Sequence, residues 1–280
     1  MNTISLAALT QNHFSSLNAE EAKRLLPDGL ILLGYRGSIA HNMYVPKSDP
    51  NSIDDKDIMG VFIPEIDNYF GLKHKAHQEV FIKEWDAVSY EIRKFVQLLA
   101  GANPNVLSLL WVKPQHYIAR TILGDELIAN RNMFVSRKIY HSFTGYAHDQ
   151  LRRMTAFTFE GYMGDKRKKL VEQFGYDCKN AAHLIRLLRM GIEFLREGEL
   201  HVFREDAAQL LEIKKGLWTM EQVKEEADRL FKRAETAYDE CKLPVAPDLE
   251  KINDLVVSLV SRRFSEPRNI GMRIYDGGIA

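Results

Sequence analysis

Two stretches decide how this chain folds: Leu32-Leu33-Gly34-Tyr35-Arg36-Gly37-Ser38 and, further on, Asp54-Asp55-Lys56-Asp57-Ile58-Met59-Gly60-Val61. The first is a short apolar strand, from residue 30, that runs into a glycine-serine turn. The second is an acidic run that opens onto another apolar strand, residues 58–63, stopped by Pro64. Side chains two apart in an extended strand share a face, so Asp55 and Asp57 are expected to project together. Like charges placed side by side call for a cation between them. A hard, oxygen-seeking ion that also accepts phosphate oxygens, Mg²⁺ or Mn²⁺, suits that place. Across from it, Gly37-Ser38 offers backbone N–H groups and a hydroxyl to a phosphate, and glycine allows close approach to the backbone. A glycine-serine pair after a strand is usually only a turn, and aspartates before a strand are usually solvated. The weight rests on the joint order: apolar strand, Gly-Ser, short helix, Asp-x-Asp, apolar strand.

A metal pair facing a phosphate cradle suits in-line nucleotidyl transfer with loss of pyrophosphate, and such a site calls for a third acid from a neighbouring strand. Residues 79–85 read as that strand, through Val80, Ile82 and Trp85, and Asp86 at its end is the preferred third carboxylate. Glu84 and Glu91 are its rivals. Residues 88–100 read as an amphipathic helix through Ile92, Phe95, Val96 and Leu99, which puts Glu91 on a helix within reach of Lys94. Asn103-Pro104-Asn105 then breaks the chain before a second apolar helix, residues 106–112.

From Arg137 onward the pattern is almost wholly helical, with long stretches at residues 181–196 and 220–241. Turn chemistry punctuates it at residues 161–164, at Gly198 and at residues 242–247. The last residues, 265–280, hold Pro267 and three glycines without a period and read as a flexible tail. The expected fold class is α+β: a mixed sheet with flanking helices over residues 1–115, then an all-helical domain over 116–264. Lys plus Arg and Asp plus Glu both number 38, so any acidic partner must be met by local clusters of charge. Cys178 and Cys241 belong to no close Cys/His group, which argues against zinc and against a disulfide scaffold. The N-terminus lacks a signal-peptide pattern and no apolar run nears the ~20 residues of a membrane span, so a soluble cytoplasmic protein without membrane contact is expected.

The Gly37-Ser38 loop with Asp55-Lys56-Asp57 and Gly60-Val61 resembles the signature of DNA polymerase β superfamily nucleotidyltransferases. More narrowly, the chain resembles the RlaP/YcgL-like predicted nucleotidyltransferases associated with RNA repair. The segments that carry this likeness are Tyr90-Glu91-Ile92-Arg93-Lys94-Phe95, Asn103-Pro104-Asn105-Val106-Leu107, and above all Phe174-Gly175-Tyr176-Asp177-Cys178-Lys179-Asn180-Ala181-Ala182-His183-Leu184-Ile185-Arg186-Leu187. The likeness spans roughly residues 29–260. It departs where the family has a basic residue after Gly-Ser (here Ile39), a glycine three positions later (Asn42), and a serine before the first aspartate (Asp54). Asn tolerates left-handed backbone better than most residues, so Asn42 is expected to keep the turn.

The resemblance implies a polymerase β-like palm followed by helices, an NTP donor such as ATP, and Mg²⁺ or Mn²⁺ held by Asp55, Asp57 and Asp86. Nucleotide is expected to meet Gly37, Ser38, His41, Lys179, His183 and Arg186. Lys179, His183, Arg186 and Met190 share one helical stripe, opposite Ala182, Ile185, Leu188 and Ile192, which are free to bury themselves. A basic stripe suits triphosphate oxygens or an RNA backbone; on residue types alone, Lys179 and Arg186 are equally well explained as surface partners of Glu172 or Asp177. The basic run Asp165-Lys166-Arg167-Lys168-Lys169 and Arg152-Arg153 are further places for RNA phosphates, and Tyr140, His141, Phe143 and Tyr146 are aromatic groups nearby, spaced as helix core. The acceptor stays open between an RNA end (tRNA or broken RNA) and a protein side chain. A non-catalytic nucleotide- or RNA-binding partner is the contrasting class, and a pure binding module has no need of adjacent carboxylates.

Overall fold

The computed structural model describes residues 19–46, 49, 52, 54–72, 74–155, 165–265 and 271–274. A first helix, α1 (Ala19–Leu25), leads into β1 (Leu30–Tyr35) and a single helical turn, α2 (Gly37–Ala40). Next come β2 (Lys56–Phe62), the short α3 (Asp67–Phe70), and the hairpin β3 (His77–Ile82) and β4 (Trp85–Glu91). Helices α4 (Ile92–Ala100) and α5 (Pro104–Ser108) precede β5 (Tyr117–Thr121) and α6 (Ile122–Ala129). The helical part follows as α7 (Ile139–Thr155), α8 (Asp165–Phe174), α9 (Cys178–Glu197), α10 (Ala207–Lys214), α11 (Met220–Glu240) and α12 (Leu249–Ser265), and β6 (Met272–Ile274) closes the described chain.

The strands form one mixed sheet in the order β3-β4-β2-β1-β5-β6, in which only β2 and β4 run parallel. Side chains alternate across it. Ile58, Trp85, Ala87 and Ile118 face a small core shared with Leu25 of α1, whereas Met59, Val61 and Val88 join the large core under the helices. Asp57 and Asp86 have the parity of Met59, Val61 and Val88. They therefore continue the helix-facing rows to the end of the sheet, where the apolar core stops. The mixed sheet with flanking helices followed by a helical region is the α+β architecture expected.

Several boundaries move. Residues 79–85 do not form one strand: Lys83 and Glu84 make a tight turn, with Lys83 at φ +55°, and the chain returns as β4. Residues 88–91, expected in a helix, belong to β4, because that strand lies inside the sheet and buries Trp85, Ala87, Val88 and Ser89. An inner strand lacks the strict apolar-polar alternation that marks a half-exposed one. The second apolar helix is α5 with a 3-10 turn, Leu109–Trp111, behind it. The sheet also takes strands from beyond residue 115. β5 pairs with β1 on the sheet's inner side, and β6, inside the supposed tail, pairs with β5. One apolar core runs without a break from Ile31 to Leu259. The expected turn at residues 161–164 and the rest of the tail, 266–270 and 275–280, lie outside the described residues.

Helix α9 is the axis of the helical part. Asp177, fully buried, caps its start by accepting from the Asn180 backbone N–H at 3.0 Å, and Gly198 at φ +72° ends it. The apolar stripe Ala182, Ile185, Leu188 and Ile192 is buried; on the other, Met190 and Arg186 are buried and Lys179 and His183 half-buried. No helix of the described residues is long and apolar enough to cross a membrane.

Candidate active site

The turn after β1 is built around the acid on β2. Gly37 takes φ +60°, a conformation that suits glycine, and a Cβ there would stand 2.2 Å from Asp57 Oδ2. Asp57 in turn lies level with Asp86 on the parallel strand beside it. The structure thus brings together Gly37, Ser38, Asp57 and Asp86. Asp55 precedes β2 and is exposed, close enough for its charge to act on both other acids. Burial pushes the Asp57 carboxyl up to about 6, Arg36 opposes the shift, and Asp86 and Asp55 add to it. Burial likewise raises Asp86, again against Arg36.

Arg36 explains how these acids coexist. Its Nη2 donates to Asp86 Oδ2 at 2.9 Å and lies 3.8 Å from Asp57 Oδ1. The donor set, carboxylate oxygens facing a cavity and short of positive charge, fits a hard divalent ion in kind. In this arrangement the balancing cation is Arg36, and among the described residues no three His, Cys, Asp or Glu side chains gather as a metal cluster.

The rival acids have other duties. Glu84 sits in the β3–β4 turn and accepts from Lys56 Nζ at 2.8 Å. Glu91 is 1% exposed and caps α4, taking the Lys94 backbone N–H at 3.3 Å, Tyr69 Oη at 3.1 Å and Arg93 Nε at 3.0 Å. It stands at the N-cap and meets the backbone of Lys94, not its side chain.

A cavity of about 340 Å³ lies between the end of the sheet and α9. Arg36, Ser38 and Asp57 line one wall, Lys179, His183 and Arg186 the other. Ser38 Oγ is buried there without a hydrogen-bond partner. Arg186 is 7% exposed, and its contacts are the His41 ring at 2.7 Å and Met190 Sδ at 3.3 Å. Burial, with Arg204 adding its charge, lowers the Arg186 guanidinium to about 9. Such a guanidinium, held by an imidazole and a thioether, has among the described residues no anion of the kind that usually accompanies a buried arginine.

His41 lines the cavity with its ring turned to protein partners. It is 5% exposed and both ring nitrogens are engaged: Nδ1 donates to the Val202 carbonyl at 2.8 Å, and Nε2 accepts from Arg186. Burial, then the Arg186 charge, holds it well below the usual imidazole range, so it serves as a neutral acceptor. The loop that supplies Val202 is fixed by Arg204, which donates to Glu193 at 2.8 Å and Asp206 at 2.7 Å. Asn42 takes φ +59° and donates to the Arg204 carbonyl at 3.3 Å, so the residue in the place of the family's glycine keeps the left-handed turn.

Two groups escaped the sequence reading. Asp54 is 2% exposed, accepts from Val45 N at 2.9 Å, pairs with Lys214 of α10, and lies 3.7 Å from Lys179 Nζ. Lys214 also donates to the Met43 carbonyl at 2.8 Å and lines the cavity. Burial lowers the Lys214 ammonium and Asp54 opposes that. Lys179 thus lies beside Asp54 at the cavity wall, and Arg186 donates to His41. Lys214 gave no local signal, since its partner lies on a loop far away in sequence.

The aromatic segment divides. Phe143 is core, Tyr140 stacks on Tyr238 at 4.5 Å, and Tyr146 reaches the cavity, its hydroxyl accepting from Asn103 Nδ2 at 2.8 Å. Arg153 lines the cavity, Arg152 pairs with Asp149 at 3.0 Å, and Lys168 and Lys169 are exposed on α8. The side chains of residues 165–167 lie outside the described set.

Comparison with curated proteins and with solved structures finds no match. The family model for RlaP, described as the RNA repair pathway DNA polymerase beta family, matches residues 30–258, a span that holds every element of the cavity, and the chain belongs to that family.

Proposed function

We propose that the protein transfers a nucleoside monophosphate from an NTP, ATP among the donors, to a hydroxyl acceptor, with release of pyrophosphate. The observation that carries this reading is one cavity with Asp57 and Ser38 on one wall and the cations Lys179, Arg186 and Lys214 on the other. Arg186 receives the anion it lacks when a triphosphate enters, and Ser38 Oγ gains an acceptor. Charge-assisted contacts of this kind are worth about 1.5–3 kcal/mol each.

Asp55, Asp57 and Asp86 would hold divalent ions, which when bound supply charge neutralisation at the acids and at the leaving pyrophosphate. The chain's own groups hold and orient. Gly37 brings the turn against Asp57, so the phosphate loop and the acid keep a fixed spacing. Lys179, Arg186 and Lys214 take the charge that develops on the pyrophosphate as the bond from the α-phosphorus to its bridging oxygen breaks. Asp86, level with Asp57 on the neighbouring strand, would accept the proton of the attacking hydroxyl. His41 keeps Arg186 aimed without competing for phosphate.

The family points to RNA as acceptor; Arg153 at the cavity and the exposed Lys168 and Lys169 on α8 are groups that could meet its phosphates. The test is incubation of the full chain with Mg²⁺ or Mn²⁺, each α-labelled NTP, and either an RNA oligonucleotide or whole-cell protein. Label on RNA that disappears in Asp57→Ala supports the reading. Label on protein alone moves the acceptor to a side chain. Nucleotide binding with no pyrophosphate released from any NTP overturns transfer and leaves a binding partner in a repair or defence system.

A further inference from the structure

The Arg36 side chain is placed by the strands themselves. Its backbone N–H donates to the Asp57 carbonyl at 3.0 Å, which fixes the residue over β2. From there a single nitrogen, Nη2, serves Asp86 at 2.9 Å and stands 3.8 Å from Asp57. The other end of the guanidinium is poorly served: the buried Nε has no hydrogen-bond partner among the described residues. A stable structural ion pair uses the planar fork of arginine on both sides and satisfies its donors. Here one nitrogen stretches between two acids and another N–H is left over. All three side chains are about a quarter exposed, at 25%, 25% and 24%, and Arg36 and Asp57 line the cavity, so the cluster is reachable by a small ion.

We propose that Arg36 is a displaceable resident cation: its guanidinium fills the place between Asp57 and Asp86 that a divalent ion takes, and the affinity of the acids for that ion is set by this competition. The inference rests on reading Asp57 and Asp86 as metal carboxylates. One guanidinium brings a single positive charge to two carboxylates, and a divalent ion brings two at shorter range, so exchange is favoured once the ion is present. Without the ion, Arg36 keeps two adjacent acids from repelling each other and keeps the strand ends in register. Its role is that of a positioning residue, and its cost is paid in metal affinity.

The test is Mn²⁺ binding to the full chain without nucleotide, at a pH of about 8 where Asp57 is ionised, followed by Mn²⁺ electron paramagnetic resonance and calorimetry. Wild type, Arg36→Met, Arg36→Lys and Asp57→Asn are compared, each first checked for a cooperative thermal transition. Wild type is expected to bind, Asp57→Asn to lose binding, and Arg36→Met to bind on the order of tenfold tighter, the equivalent of about 1.4 kcal/mol. Arg36→Lys, which keeps the charge without the fork, falls between.

A folded Arg36→Met that binds no tighter than wild type, while Asp57→Asn still abolishes binding, overturns the competition and leaves the metal reading intact. No binding by wild type or by Arg36→Met overturns both. A second readout is independent of substitution. In ¹⁵N-labelled protein, the Arg36 Nε–H resonance is expected to move along a Mg²⁺ titration with the same midpoint as binding. A resonance that stays fixed while Mg²⁺ binds overturns displacement.

Discussion

Gly37 and Asp57 share one volume: the space a side chain would take on the glycine is filled by the aspartate carboxylate, 2.2 Å from the would-be Cβ. The Gly37-Ser38 turn and the Asp57 carboxylate are thereby fixed to each other. Gly37→Ala is expected to cost about 1–3 kcal/mol of stability and, by shifting Asp57, to lower turnover on the order of 100-fold. Gly175→Ala is the control, because Gly175 also has a positive φ (+79°) but has nothing within 4 Å of its would-be Cβ. It is expected to lose a similar backbone contribution while keeping turnover. Urea unfolding and pyrophosphate release measured on both variants check the pair.

Asp86 and Glu91 stand at opposite ends of β4, and substitution should separate their roles. Asp86→Asn is expected to lower turnover by about 100-fold or more with little change in melting temperature. Glu91→Gln should show the reverse, because Glu91 accepts from Tyr69, Arg93 and the Lys94 backbone. It is expected to cost about 1–3 kcal/mol and to leave the metal and NTP dependence of the reaction in place.

Asp57 gives the metal-free fold a pH signature. Its folded carboxyl titrates at about 6, above the ordinary 3.8, so the unprotonated form is disfavoured by folding. The contribution is favourable below about 4 and is lost as pH rises through about 6. The buried His41 works in the opposite sense, since its depressed pKa makes acid destabilising. The clean measure is therefore the difference in melting temperature between Asp57→Asn and wild type, in chelator. That difference is expected to grow in favour of the variant from pH ~4 to pH ~6.5 and to level off above. Added Mg²⁺ should shrink it.

The local half of this site could be read from residue order, because glycine-serine after an apolar strand and Asp-x-Asp before the next are nearest-neighbour patterns. Asp86 was also within reach, since an acid at a strand end has few places to point. What escaped was set by pairings across the fold. Residues 88–91 read as helix in the sequence because a strand covered on both faces has no alternation to show. Asp54 reads in sequence as a plain departure from the family's serine and Lys214 carries no local signal; only α10 brings the two into contact. β6 sits among glycines where no period survives, and only its partner β5 makes it a strand.

The Asp54–Lys214 pair joins the loop before β2 to the helical part, and both side chains are buried, at 2% and 7% exposure. Asp54→Ala leaves a buried ammonium without its carboxylate and is expected to cost about 3–5 kcal/mol. Lys214→Met removes the charge and should be milder in the Asp54→Ala background than in wild type. A double-mutant cycle by urea unfolding is expected to give a coupling of about 1–3 kcal/mol. A coupling near zero would mean that Lys179 and the Val45 N–H hold Asp54 on their own.

Strand β6 bears on how the two walls of the cavity can move. The chain leaves the sheet after Thr121, runs through the helical bundle, and comes back as Met272–Ile274 to pair with the same strand it left. The bundle is thus a loop of chain pinned at both feet to one edge, with α12 laid against the sheet side through Arg262 and Glu126. The helical part is tied to β5 at both ends, and the core that runs from Ile31 to Leu259 joins it to the sheet between them, so both walls of the cavity belong to one packed body.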